Sequence, residues 1–138
     1  MVNIKDYTQA MYEAVKGCAD AVYIADRPTA VSDKTDTFIV VDIPSYINNR
    51  EMDRSGDFGY YVTTATIDLF VRDKKTSQKV GQVDIVKMDK MLKTLMEVFP
   101  IKDTERGVLI YNPRTILSAS DGNGFHYTSI QARLTTYF

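Results

Sequence analysis

Apolar residues at Ile4, Tyr7, Met11, Val15 and Cys18 recur at steps of three and four. That spacing lays one stripe along a helix and predicts a first element of about fifteen residues. Asn3 suits the N-cap, Asp6 favours the first turn, and Gly17 helps to end the helix. The segment "ADAVYIAD" reads either as an extension of this helix or as a short edge strand. Pro28 then biases Arg27 away from helical geometry.

The period changes from Thr37 onward. "TFIVVDIPSYI" is a β-branched run with Ile39, Val41 and Ile43 on one face. Pro44 brings no amide donor, which suits an edge or a bulge. "NNREMDRSGDFG" is polar, charged and punctuated by glycine, and reads as a long loop or hairpin tip. "YYVTTATIDLFVRDKK" then alternates as a long strand. Tyr61, Thr63, Ala65, Ile67, Leu69 and Val71 make its more apolar face, with Asp68 and Arg72 on the other. Asp68 reads as a solvated or sheet-paired carboxylate.

A charged connector leads to a second helical stripe, Ile85, Met88, Leu92, Leu95 and Phe99, which Pro100 stops. Met88, Met91 and Met96 read as core filler. "RGVLIYNPRTILSASD" is strand-like, with Pro113 marking a bulge or a break. "DGNG" is a turn, because Gly and Asn tolerate positive φ. "FHYTSIQARLTTYF" alternates to its end, with His126, Thr128, Ile130, Ala132, Leu134 and Thr136 on one face. The expected class is α+β: a mostly antiparallel sheet with two helices on one face, in the order α-β-β-α-β-β. Residues 1–138 form one domain.

Composition narrows the function classes. The chain is 44% hydrophobic and 25% charged with a formal net charge of -1, so no global field draws it to nucleic acid or anionic membrane. No run of about 18 apolar residues predicts a membrane helix. The first residues lack a basic segment followed by an apolar one, so no secretory signal is expected. The single cysteine, Cys18, allows no internal disulfide and reads as a small buried hydrophobe, which fits synthesis inside a cell.

Chemistry is sparse. A Cys–His or Ser–His–Asp arrangement has to use His126, the one histidine. One Cys and one His cannot build a structural zinc site. No glycine-rich phosphate cradle occurs, and "DGNG" lacks the ligand spacing of a calcium loop. The carboxylates Glu51 and Asp53, and Asp103 and Glu105, lie among Arg50, Arg54, Lys102 and Arg106, a pattern of solvated or partner-contacting loops. The RNA-binding pattern of basic, glycine and aromatic residues in one strand is missing. Catalytic residues, cofactor and metal are therefore all expected to be none.

The order of "YTQAMYEAVKG", "YVTTATIDLFVRDKK", "VDIVKMDKMLKTLM" and "FHYTSIQARLTTYF", from about Ile4 to Phe138, resembles the tail-completion, or tail-terminator, neck proteins of long-tailed bacteriophages. The resemblance implies a structural virion protein, made in the host cytoplasm. Its subunits form a homohexameric ring at the head-proximal end of the tail, stop tube growth and join the tail to the head connector. Partners would be the same chain, the tail tube protein and the connector proteins, with no membrane and no sequence-specific nucleic acid. A head-completion or connector subunit, or another non-enzymatic assembly module, is the alternative. A head-to-tail ring needs two different complementary patches, and a sheet edge can supply one. The candidate contacts are Asn48, Asn49, Arg50, Glu51, Asp53 and Arg54 in one loop, and Arg72, Asp73, Lys74 and Lys75 in another. The bland reading of both is solvated loop.

Overall fold

In the computed structural model, residues 4–28, 31–43, 47–52, 58–74 and 82–136 are described, with side chains for all of these except 48–52, 58–60, 117 and 118. Two helices pack on a seven-stranded mixed sheet that curls into a half-barrel, so the α+β class holds. The elements are α1 (Ile4–Val15), β1 (Ala21–Ile24), β2 (Thr37–Asp42), β3 (Ile47–Met52), β4 (Phe58–Arg72), α2 (Ile85–Met96), β5 (Ile101–Asp103), β6 (Val108–Ser120) and β7 (Phe125–Thr136).

The expected order of four strands is corrected by three additions. "AVYI" is an edge strand, and it pairs parallel to β2, so the sheet is mixed rather than antiparallel throughout. Residues 48–52, expected as a long loop or hairpin tip, join Ile47 in a strand that pairs antiparallel with β4. Ile101–Asp103 pair with Val108–Ile110 in a tight hairpin. The sheet order is β1-β2-β4-β7-β6-β5, with β3 beside β4.

β4 is the spine. Val62–Arg72 pair with β7 along one edge. Its other edge is shared: Thr66–Val71 pair with β2 and Phe58–Thr63 with β3. From Asp42 to Ile47 that edge advances five residues while β4 moves three, from Thr66 to Thr63. β2 and β3 thus share that edge of β4 in turn. Pro44, to which the sequence assigns the edge or bulge, lies outside the described residues, as does the N-cap residue Asn3.

Alternation decides the faces. Ile39, Val41, Ala65, Ile67, Leu69, Val71, Ile130, Ala132 and Leu134 join Tyr7, Ala10, Met11 and Val15 of α1 and Met88 and Leu95 of α2 in one core. α1 touches β1 and β2 near one end of the strand order and β5 at the other, so the sheet curls around it. The helical stripes are shorter than their sequence periods. Ile4 is exposed, Ile85 is 69% exposed, and α2 ends at Met96 rather than at Pro100. Asp84 caps α2, its side chain accepting from the Lys87 amide at 3.2 Å.

The opposite face carries a second, smaller cluster. Phe38, Val40, Phe70 and Phe125 are buried there, with Tyr23, Val31 and Tyr127 packed around them. Phe38 stacks on Phe70 with centroids 4.4 Å apart and meets Phe125 edge-on at 5.1 Å. This face is thus partly apolar core, beyond the polar-aromatic surface that its Thr, Tyr, Ser, Gln and Arg residues suggest.

Candidate functional site

The turn leading into β7's aromatic end is fixed by a carboxylate. Between β6 and β7, Asp121 Oδ1 accepts from the amides of Asn123 (2.6 Å) and Phe125 (3.2 Å). Gly122 and Gly124 supply the left-handed φ values of 79° and 88° that close the "DGNG" turn as expected. Asp121 Oδ2 accepts from Arg27 Nε at 3.0 Å and NH2 at 2.6 Å. The same guanidinium lies 5.5–5.9 Å from the centroids of Phe38, Phe70 and Phe125. Arg27 therefore closes the second cluster like a lid.

Arg72, a candidate contact residue, is committed within its own chain. Its Nε donates to Asp36 Oδ1 at 3.2 Å, and its NH2 donates to the Ser32 and Thr35 carbonyls at 3.1 and 2.7 Å. Its guanidinium carbon also lies 4.7 Å from the Phe125 centroid. Asp73 is buried, with its Oδ1 2.5 Å from His126 Nδ1. Lys74 is exposed and bridges to Gln82 by backbone pairing. Asn48, Asn49, Arg50 and Glu51 lie on β3, where Asn48 faces Val62 and Arg50 faces Tyr60 across the ladder. Asp53, Arg54 and Lys75 lie outside the described residues.

The Asp73–His126 contact puts two members of a hydrolytic triad side by side, and Ser120 faces His126 across the β6–β7 ladder. The nucleophile–base link is the missing element. Ser120 Oγ accepts from the Gly122 amide at 3.2 Å, and no hydrogen bond joins it to His126 among the described residues. The arrangement ties the end of β4 to the start of β7.

Asp68 is partly buried and sheet-paired, with a side-chain hydrogen bond to Ser129 across the β4–β7 ladder. Burial pushes its carboxyl up from the ordinary range, the Ser129 hydrogen bond opposes this, and Asp42 pushes it further up. Its Oδ1 and the nearby Thr66 Oγ1 are buried without hydrogen-bond partners among the described residues. Cys18 is partly buried against the main core, and burial pushes its thiol up, away from nucleophile chemistry. Among the described residues no group of three or more His, Cys, Asp or Glu converges as metal ligands, and no helix is long and apolar enough to cross a membrane.

Two surface grooves lie among the described residues. One, of about 520 Å³, lies between α1 and the β5–β6 turn, where the Arg106–Asp103 ion pair of 2.7 Å holds Asp103's carboxyl below its ordinary range. The other, of about 340 Å³, is lined by Met96, Phe99, Pro100, Tyr111, Asn112 and Pro113. Neither contains His126, Asp68 or Asp73.

The sequence reading missed Arg27 and Asp121 as partners. Their one local signal was the turn chemistry of "DGNG", which needs an aspartate at its first position but does not say what else that aspartate binds. No family model matches the chain, and no curated protein matches it.

Proposed function

We propose that the protein is a structural assembly subunit that forms a ring, and that the ring closes the head-proximal end of a phage tail and receives the head connector. The phage role rests on the sequence resemblance. The ring-forming part is supported by the β3–β4 hairpin. Among the described residues, Phe58–Tyr60 have β3 as their ladder partner, while the Tyr61 amide donates to Thr136 Oγ1 at 2.8 Å and the β4–β7 ladder runs from Val62. The end of the hairpin is the arm that this reading offers to a neighbour. Such an arm is marginal in water by itself and gains order from a neighbour's surface. The β3 strand of this hairpin carries Asn48, Asn49, Arg50 and Glu51, which favours it over the second candidate loop, where Arg72 and Asp73 are held by their own chain.

The reading predicts a discrete ring of about six subunits in mass photometry and in negative-stain images, as closed head-to-tail assembly requires. Added to growing tail tubes, the protein should bind one end and halt elongation. A chain that stays monomeric at high concentration and leaves tube length unchanged would overturn the proposal.

A further inference from the structure

Of the large hydrophobic side chains exposed among the described residues, two lie on strands. Ile24 on β1 is 46% exposed and Ile116 on β6 is 44% exposed. These strands lie at or next to opposite ends of the sheet order. β1 has no partner beyond β2, and β5 covers β6 only over Val108–Ile110, leaving the rest of that β6 edge unpaired among the described residues. Edge strands normally carry charge, proline or bulges that discourage addition. β6 has such devices, with register shifts between Tyr111 and Arg114 and between Ile116 and Ala119. Between them lies one regular stretch, Arg114–Ile116. β1 is four residues of uncharged "AVYI".

On these observations we infer that β1 of one copy adds to the Arg114–Ile116 stretch of β6 in the next copy, joining the sheets of neighbouring subunits. The inference rests on the ring reading and names its interface. Strand direction agrees with it. β1 runs with β2 and β7, and against β4 and β6. A neighbour related by rotation about an axis along the strands keeps those directions, so β1 meets β6 antiparallel, the stronger pairing.

Face parity selects a register. Tyr23 faces the Phe38 cluster, and Ile116 shares that side through its pairing with Ser129 opposite Asp68. Placing Tyr23 opposite Ile116 makes an aromatic–β-branched pair. The same register places Ile24 opposite Thr115, both on the face of the main core. The two edges are different surfaces, so the contact is head-to-tail and closes only as a ring.

The test uses Ile24→Lys and Ile116→Lys in the full chain, each placing a charge at an exposed edge position. Each variant should keep the wild-type melting midpoint yet run as a monomer where the wild type runs as a ring. Mixed one to one, the two should form a heterodimer and nothing larger, because one intact β6 edge and one intact β1 edge remain between them. Rings from either single variant, or no heterodimer from the mixture, would overturn this interface while leaving the ring reading standing. A wild type that is itself monomeric would overturn both.

Discussion

Arg27 shows how much one side chain can hold. Its fork reaches Asp121 through two nitrogens, its NH1 donates to the Pro28 carbonyl at 2.9 Å, and its plane lies over three phenylalanines. The Asp121 side chain is only 5% exposed. Arg27→Ala should therefore cost about 2 kcal/mol in denaturant unfolding, because it strands a buried carboxylate and uncovers the aromatic cluster. Arg27→Lys should recover less than half of that, since an ammonium neither forks nor stacks. Equal stability of the lysine variant and the wild type would mean that charge alone matters. Asp68 works in the opposite direction. Its folded pKa is raised, so its contribution is most favourable below the unfolded pKa of about 4 and is lost as pH rises through the folded value. Asp68→Asn should then stabilise the protein at neutral pH by about 0.5–1 kcal/mol, after discounting for the part of the group that water reaches. The gain should shrink toward zero near pH 4, read from melting midpoints across that range. A variant less stable than wild type at pH 7 would show that the Ser129 hydrogen bond outweighs the cost of burying the carboxylate.

At the scale of elements, legibility followed burial. β4 and β7 are readable because alternate residues commit to the main core over many positions, Ala65 to Val71 and Ile130 to Leu134. The β6 irregularity at Pro113 is readable too, because a missing donor leaves a local mark, and the ladder shifts between Tyr111 and Arg114. β3 is not readable. "INNREM" has neither alternation nor β-branched density, and its extended form depends on pairing with β4. β1 and β5, at four and three residues, are too short for any period to show. α2 errs in the other direction: Ile85 and Val86 continue the apolar composition of the helix but are exposed, so the stripe overstates the buried face. The candidate contact loops were legible as charged segments only. That Arg72 closes on Ser32, Thr35 and Asp36, and Asp73 on His126, follows from strand neighbours far apart in the chain. A single sequence carries no local signal for such pairings.

At the scale of the molecule, one core draws on both helices and on β2, β4, β5, β6 and β7, so the body of the protein should unfold as a unit. The β3–β4 arm is different. Among the described residues, Phe58–Tyr60 pair with β3, outside the β4–β7 ladder that runs from Val62. Stability and assembly should therefore separate there. Arg50 lies on β3 and Arg54 follows it in the chain, so Arg50→Glu combined with Arg54→Glu changes charge by four where the sequence is already polar. Changes remote from core features usually stay within about 0.5 kcal/mol, so the melting midpoint should hardly move. If the arm meets a neighbouring subunit or the tail, the same variant should lose the ring or lose its grip on tube ends, because reversed charge at a contact repels the partner it once matched. Mass photometry and tube-capping assays on the one sample tell these apart. Losing the ring places the arm between subunits. Keeping the ring but losing capping places it against the tail. Full ring formation and full capping would remove the arm from the contact surface and leave the sheet edges to carry assembly.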